Sequence, residues 1–258
     1  MPFVQVGRSQ IHFVEQGPSP ASHLPPIVFI HGAGGSHQVW LQQLVVLGRR
    51  RRAIAVDLPG HGDSNGSGAD RIEAYCDIVR GFITALGLDR IVMVGHSMGG
   101  AITQSIALAY PGLLAAIVLA GTGVRLRVQP QILAALRGDA RRAVEMIAKL
   151  VYVSGTPAEV LKQDADAMLR TSIPVIEGDL LACDAFDLME QAKAVSLPAL
   201  VICGTDDLVT PPKYAEYLHR QINGSQLQLV PAAGHMVMLE QPGEVSRGIE
   251  AFLERLGC

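Results

Sequence analysis

Short apolar runs alternate with amphipathic stretches along most of the chain. The runs 27–30, 91–94 and 117–119 are rich in β-branched residues and contain no alternating polar positions. Such runs are typical of parallel strands that are buried on both faces. Because strands alternate with helices, the pattern predicts βαβ units in a doubly wound sheet. We therefore expect an α/β fold with a mostly parallel, eight-stranded sheet.

The same pattern gives approximate bounds for the elements. The expected strands are Phe3–Val6, Gln10–Gln16, Ile27–Ile30, Ala53–Val56, Ile91–Val94, Ala115–Ala120, Ala199–Cys203 and Gln226–Val230. The expected helices between them are His37–Leu47, Asp70–Leu86, Met98–Ala109, Pro212–Arg220 and Glu244–Arg255. A segment rich in Pro and Ser, 17–26, predicts a loop.

The alternation stops between residues 122 and 197, where three or four helical patterns follow one another without a strand. Thr156, Pro157 and Glu159 predict the start of one of these helices, with Thr156 as its N-cap. A helical block between two strands of one sheet predicts a cap over the carboxyl edge, where ligands of such sheets bind. We expect a core of residues 1–121 and 198–258 and a helical cap of residues 122–197.

Composition narrows the class of protein. The chain has 258 residues, 49% of them hydrophobic and 17% charged, which excludes intrinsic disorder. The formal net charge of −3 argues against a nucleic-acid or anionic-membrane partner, since either favours a basic face. The one strong basic run, Arg49 to Arg52, is expected to be a solvated helix end.

Four widely spaced cysteines (Cys76, Cys183, Cys203 and Cys258) suggest neither a zinc site nor a disulfide framework. The first residues lack the basic and apolar segments of a signal peptide, and no 18-residue apolar span occurs. We expect a cytoplasmic protein with no metal, no cofactor and no membrane partner. It is expected to act on a small molecule as a monomer or homodimer.

A candidate nucleophile follows the predicted strand 91–94. Gly95-His96-Ser97-Met98-Gly99 has the G-x-S-x-G pattern between a strand and a helix. In this context the glycines permit a tight turn that presents the Ser97 hydroxyl at the N-terminus of the helix. The pattern predicts nucleophilic catalysis by Ser97.

A serine hydroxyl needs a base and an orienting carboxylate. His235 follows the predicted strand 226–230, so we expect it at the same sheet edge as Ser97. Asp206 and Asp207 both follow the strand 199–203 and are alternative acids. His31 and His61, in glycine-rich loops, are expected to hold those loops by hydrogen bonds.

The negative charge that develops on an attacked carbonyl needs backbone N–H donors. We assign these to Met98, directly after the nucleophile, and to Ala33, in the glycine-rich loop after strand 27–30. That loop lacks the G-x-x-x-x-G-K-[ST] pattern of a phosphate cradle.

These motifs resemble those of the α/β-hydrolase superfamily, in particular serine esterases and meta-cleavage-product hydrolases with a helical cap. The matching segments are His31-Gly32 with the following glycines, 57–64, 95–100, Gly204 to Asp207 with Pro211, and Gly234-His235. The resemblance implies that Asp207 is the acid of a Ser-His-Asp triad. It also implies a cap at the helical block.

The implied activity is hydrolysis of a carboxylic ester, lactone or thioester of a small-to-medium apolar substrate through an acyl-enzyme. Trp40, Met236 and Met238 are expected to contact that substrate, since methionine adapts to varied apolar shapes. Three alternatives use the same fold: a hydrolase of C–C bonds in meta-cleavage products, an acyltransferase or lyase, and a ligand receptor without turnover. Ser97 argues against relatives that carry Asp as nucleophile, such as haloalkane dehalogenases and epoxide hydrolases.

Overall fold

One eight-stranded sheet organises the computed structural model, which describes residues 2–18 and 23–258. Its strands are β1 (Phe3–Val6), β2 (Ser9–Gln16), β3 (Ile27–Ile30), β4 (Ala53–Val56), β5 (Ile91–His96), β6 (Leu114–Ala120), β7 (Ala199–Gly204) and β8 (Gln226–Val230). Their order across the sheet is β1-β2-β4-β3-β5-β6-β7-β8. The hairpin β1-β2 and the β2-β4 pair are antiparallel, and every other neighbour is parallel. The predicted mostly parallel α/β sheet is confirmed. Part of the predicted loop 17–26 lies outside the described residues.

The helices cover both faces of the sheet. They are α1 (Leu41–Leu47), α2 (Ile72–Ala85), α3 (Met98–Ala109), α4 (Pro130–Gly138), α5 (Ala140–Val151), α6 (Ala158–Met168), α7 (Ile173–Ala185), α8 (Pro212–Gln221), α9 (Val237–Glu240) and α10 (Pro242–Arg255). The described residues also form short 3₁₀ helices at His37–Trp40, Pro111–Leu113 and Ala192–Ala194. The first of these 3₁₀ helices occupies the start of the helix predicted over 37–47.

Successive residues of the central strands point to opposite layers, as the pleat of a strand requires. In β3, Val28 and Ile30 belong to one apolar cluster, whereas Ile27 and Phe29 belong to the other. The first cluster includes α2, α3 and α8, and the second includes α1 and α10. Every residue of β3, β4, β5 and β7 is buried. These strands therefore appear in the sequence as apolar runs, and His96 at the end of β5 is the one polar residue among them.

Four α-helices, α4 to α7, follow one another between β6 and β7 and have a small apolar cluster of their own. We call residues 122–197 the cap segment, and its standing as a separate unit stays a prediction. Within the described residues, no helix is long and apolar enough to cross a bilayer.

Two local expectations are wrong. Thr156 does not cap α6, because its hydroxyl and its N–H both bond to the carbonyl of Val153 and close a local turn; the helix begins at Ala158, with Pro157 at the N-cap position. The basic run is not wholly solvated either. Arg51 is only 4% exposed, and its Nη2 donates to the carbonyl oxygen of Cys258 at 2.9 Å.

Candidate active site

Ser97 lies at the sharp turn between β5 and α3. Its backbone has φ 51° and ψ −115°, a left-handed conformation that is strained for a residue with a side chain. Its backbone is tied to β6 and to the residues that follow that strand: the Ser97 N–H donates to Ala120 O at 3.0 Å, and the Thr122 hydroxyl donates to Ser97 O at 2.9 Å. Ser97 O also accepts N–H groups of the first turn of α3. The fold therefore presents the Ser97 side chain at the carboxyl edge of the sheet.

The glycines on either side of Ser97 are required by close backbone contacts. A Cβ atom on Gly95 would lie 2.1 Å from Gly99 O, and one on Gly99 would lie 2.4 Å from Ile30 O. Neither position has room for a side chain. The G-x-S-x-G spacing is thus a steric consequence of the tight strand–turn–helix connection.

His235 and Asp207 form a buried pair next to this turn. Nδ1 of His235 lies 2.9 Å from Oδ2 of Asp207, in the loops after β8 and β7. The side chains are 5% and 0% exposed. An ionised carboxylate accepts only, so His235 donates from Nδ1 and its Nε2 is the nitrogen left with a lone pair.

Other donors also hold the Asp207 carboxylate. Oδ1 accepts the N–H groups of Val209 and Thr210, each at 2.8 Å, and Oδ2 accepts the Thr210 hydroxyl at 2.9 Å. Burial alone would raise the pKa of Asp207, but His235 and these hydrogen bonds outweigh burial and hold it below its usual value. Asp206, the alternative acid, is exposed and accepts the Thr205 hydroxyl.

His96 contacts the same loop without competing for the Asp207 carboxylate. Its Nε2 lies 3.0 Å from the carbonyl oxygen of His235, and the two rings are 4.7 Å apart. Burial lowers the pKa of His96 to about 3, so the ring is neutral at physiological pH. His96 is therefore a neutral donor that supports the backbone of the His235 loop.

The glycine-rich loop after β3 packs directly against Ser97. A Cβ on Gly32 would lie 3.1 Å from Ser97 Cβ, so the Gly32–Ala33 peptide runs beside the serine. The Gly35 N–H donates to Gly32 O at 3.1 Å and closes a turn in which Gly34 has φ 64°. The predicted oxyanion donors, the N–H groups of Ala33 and Met98, lie in this loop and in the first turn of α3. First-turn N–H groups have no acceptor within their own helix.

His31 and His61 hold loops, as predicted. The Leu58 N–H donates to His31 Nε2 at 3.1 Å, and His31 Nδ1 lies 2.8 Å from Gly32 O. Burial lowers the pKa of His31 to about 4. His61 Nδ1 lies 3.0 Å from the carbonyl oxygen of Pro59. His31 joins two segments of backbone, and the second nitrogen of His61, Nε2, lies 2.7 Å from the carboxylate of Asp179.

A cavity of about 920 Å³ opens at this edge and is lined by Ser97, His235 and Ala33. Much of its wall is apolar and comes from the cap segment and the His235 loop. The apolar lining includes Ile132, Ile147, Leu150, Val160, Met168, Met236 and Leu239. The arrangement brings a candidate nucleophile and a histidine–carboxylate pair to one apolar chamber.

Of the three predicted substrate contacts, only Met236 lines this cavity. Trp40 is fully buried, and its ring lies 5.0 Å from that of Phe29 beneath the sheet. Met238 is also fully buried in that apolar layer. Contrary to the expectation that they contact substrate, Trp40 and Met238 do not line this cavity.

One cluster in the described part of the chain has side chains of the types that bind metals: His12, His37 and Asp57. The two Nδ1 atoms lie 2.7 and 2.9 Å from Asp57 Oδ2, which are hydrogen-bond distances. Donors around a tetrahedral zinc lie about 3.3 Å apart, given bonds of about 2.0 Å. The cluster as arranged is a buried carboxylate held by imidazole donors, and it does not fit a metal.

The sequence profile of the alpha/beta hydrolase family matches residues 27–247. This match covers most of the chain. The chain belongs to the alpha/beta hydrolase family.

Among curated relatives of this hydrolase is the dihydrolipoyllysine-residue acetyltransferase component of the acetoin cleaving system of Pseudomonas putida. It is 28% identical over 245 residues, which is 89% of this chain and 64% of that protein. The hydrolase chain thus spans less than two thirds of this relative's length.

Two solved structures are similar over nearly the whole hydrolase chain. The enol-lactonase from Burkholderia xenovorans LB400 has a TM-score of 0.91 at 24% identity, with 98% of this chain and 100% of that one covered. A thermophilic esterase has a TM-score of 0.86 at 32% identity, with 99% and 98% covered. The protein is an enzyme of the alpha/beta-hydrolase class.

The sequence analysis of this hydrolase missed two acids, the half-buried Glu240 and the buried Asp179. Glu240 accepts the N–H groups of Gly234 and Val153 at 2.8 and 2.9 Å, joining the His235 loop to the cap segment. Asp179 lies in α7 and accepts the Gly34 N–H at 2.8 Å. The sequence does not single out Asp179, because Glu177 and Asp184 lie in the same helical stretch.

Proposed function

We propose that this protein is a serine hydrolase that cleaves an ester-type bond through Ser97, His235 and Asp207. The observation that carries the proposal is the buried His235–Asp207 pair, at 2.9 Å, on the cavity that Ser97 also lines. A histidine held through Nδ1 keeps Nε2 available as a general base.

In the proposed reaction, Ser97 Oγ attacks the substrate carbonyl while His235 Nε2 takes the hydroxyl proton. Asp207 stabilises the resulting imidazolium and keeps its ring oriented. The depressed pKa of Asp207 supports this role, because the carboxylate stays ionised beside the imidazole. His235 then returns the proton to the leaving group, and an activated water releases the acid from the acyl-enzyme.

The charge on the attacked oxygen requires donors that are already oriented. We assign them to the N–H groups of Ala33 and Met98. The contact of Gly32 with Ser97 supports the first assignment, and the first turn of α3 supports the second. The N-terminal end of a helix also favours negative charge.

The proposed substrate is a small-to-medium molecule with an apolar group and a carboxylic ester, lactone or thioester bond. The volume of about 920 Å³ and the apolar lining support this class. The names of the similar proteins include an esterase, an enol-lactonase and an acetyltransferase component. All three names describe proteins that act on acyl groups.

Steady-state hydrolysis of p-nitrophenyl esters from acetyl to dodecanoyl tests the proposal, with wild type beside Ser97→Ala. Ser154→Ala is a matched control, since Ser154 also lines the cavity. We expect a chain-length optimum in wild type, a loss of about 10⁴-fold or more in kcat for Ser97→Ala, and near-normal rates for the control. Undiminished hydrolysis by Ser97→Ala would refute the proposed mechanism.

A further inference from the structure

We propose that Asp179 is a positioning residue for the oxyanion loop, which we define as residues 31–35. Its carboxylate ties that loop to the cap segment and so orients the Ala33 N–H toward the reacting carbonyl. This inference rests on the proposed function and adds to it a residue in α7 that does not touch the reacting atoms.

Asp179 is fully buried and receives three hydrogen bonds from three separate segments. Oδ2 accepts the Gly34 N–H at 2.8 Å and faces His61 Nε2 at 2.7 Å. Oδ1 accepts the Tyr75 hydroxyl at 2.5 Å. One side chain of the cap segment thus joins the oxyanion loop, the loop after β4 and helix α2.

A buried carboxylate is costly unless it is paired and hydrogen-bonded. His61 supplies the pairing: burial alone would lower its pKa, but the charge and hydrogen bond of Asp179, with smaller contributions from Pro59 O and Asp57, together outweigh burial and raise it. Both ring nitrogens of His61 face acceptors, Asp179 Oδ2 and Pro59 O, which only the doubly protonated imidazolium satisfies. Tyr75 stays protonated, since burial and Asp179 raise its pKa. The group is therefore a satisfied, rigid network.

The hydrogen bond between Asp179 and the Gly34 N–H also affects the Ala33 N–H, because the two N–H groups belong to neighbouring peptides. The Gly34 N–H belongs to the Ala33–Gly34 peptide, and the Ala33 N–H belongs to the neighbouring Gly32–Ala33 peptide. Since Gly34 has φ 64° and Gly32 packs on Ser97, the bond to Asp179 fixes one end of a turn whose other end faces the nucleophile. Without that acceptor, the Gly34 peptide is free to rotate and to take the Ala33 N–H with it.

The cap segment also covers this turn from outside. A Cβ on Gly34 would lie 2.9 Å from Met168 Cγ, so the last residue of α6 packs on the loop. Apolar cover excludes water, and a buried N–H without an acceptor is then costly. Because the Gly34 backbone is buried, its N–H group depends on Asp179 as acceptor.

The test compares Asp179→Ala, Asp179→Asn and Tyr75→Phe in the full chain, all assayed with the best p-nitrophenyl ester. Tyr75→Phe is the control: it removes one bond to the same carboxylate and the acceptor of the Ala69 N–H, but leaves the Gly34 contact in place. For each variant, thermal unfolding, kcat, KM and the affinity for an alkyl boronic acid are measured. The boronic acid forms a tetrahedral adduct with a serine and reports on the oxyanion donors.

We expect Asp179→Ala to lose about 10- to 100-fold in kcat, with KM within about threefold and a parallel loss of boronate affinity. Asp179→Asn, which keeps one acceptor oxygen, should recover part of that loss. Tyr75→Phe should lower the melting temperature but keep kcat within about threefold.

The inference is overturned if folded Asp179→Ala keeps wild-type kcat and boronate affinity. It is also overturned if Tyr75→Phe, at equal loss of stability, loses as much kcat as the Asp179 variants. If Asp179→Ala does not fold, Asp179→Asn is compared with Tyr75→Phe instead. An equal loss of kcat in these two variants then overturns the inference. Each of these results leaves the proposed function intact, since that depends on the separate Ser97→Ala comparison.

Discussion

Nδ1 of His235 lies 2.9 Å from Oδ2 of Asp207, whereas the carboxylate of the neighbouring Asp206 is exposed and accepts the hydroxyl of Thr205. Two adjacent acids of one loop thus have different surroundings. Of the two acids, only Asp207 is placed to orient the imidazole of His235.

This difference predicts that replacing each acid lowers kcat by a different amount. Asp207→Asn should lower kcat by about 10³- to 10⁴-fold, because an amide in this place no longer holds the imidazole in the productive tautomer. Asp206→Asn should stay within about twofold of wild type. Initial rates with one p-nitrophenyl ester check both variants, and equal losses would contradict the assignment of the acid.

Alanine variants of Met236 and Met238 provide a second comparison, between a methionine that lines the cavity and one in the core. Met236 lines the cavity, so Met236→Ala should shift the preferred acyl chain toward longer esters while the protein stays folded. Met238 is buried in the apolar layer under the sheet, so Met238→Ala should cost about 2–5 kcal/mol of stability and leave the chain-length profile unchanged. Chain-length series and urea unfolding separate the two effects. A profile that shifts in Met238→Ala instead would place the substrate elsewhere.

The network around Asp57 predicts a pH-dependent stability. Burial alone would raise the pKa of Asp57, but hydrogen bonds from His37 and from the backbone of Asp63 hold it well below its usual value. A carboxyl with a depressed folded pKa stabilises the fold above its unfolded value of about 3.8, and that stabilisation is lost as pH falls further.

Asp57→Asn should therefore destabilise the protein by about 2–4 kcal/mol between pH 5 and 7. The gap between the variant and wild type should shrink below about pH 3.8. Urea unfolding at several pH values measures it. A gap that is independent of pH would mean that the charge of Asp57 contributes nothing.

The raised pKa of Asp164 predicts a pH dependence of stability that is opposite to the one expected for Asp57. Burial raises the pKa of this cavity-lining carboxyl, which accepts one hydrogen bond, from the Tyr152 hydroxyl at 3.2 Å. It binds its proton more tightly in the folded chain than in the unfolded chain. Raising the pH from about 3.8 through the folded pKa therefore removes stability.

Asp164→Asn should accordingly melt about 2–4 °C above wild type at pH 7 and close to wild type at pH 4. Thermal unfolding of both proteins across this range provides the measurement. Tyr152→Phe, which removes the single donor to the carboxylate, should widen the loss of stability at neutral pH. A lower melting temperature for Asp164→Asn at pH 7 contradicts this account of Asp164.

The sequence predicted much of the sheet because its strands are marked by short β-branched runs. The bounds of β3, β4 and β8 agree with the pattern residue for residue. The loop positions of Ser97, Asp207 and His235 also follow from the pattern, since the carboxyl ends of parallel strands meet at one edge.

Residues whose roles depend on long-range contacts could not be predicted from the sequence. Asp179 accepts the N–H of Gly34, 145 residues away, and no local pattern specifies that meeting. Trp40 and Met238 are apolar residues near the site in sequence, but periodicity does not tell a core face from a cavity face. Thr156 has the residue type of an N-cap, and its hydroxyl bonds back to Val153 instead. Competing local hydrogen bonds of this kind are decided by geometry.

The central claim is that Ser97 forms an acyl-enzyme. Its most direct test is to quench the enzyme in acid during turnover of a p-nitrophenyl ester and to map the acylated peptide by mass spectrometry. The account predicts one acyl group per chain, on the peptide that contains Ser97, and none in Ser97→Ala. An acyl group on a different residue, or wild-type turnover by Ser97→Ala, would contradict it.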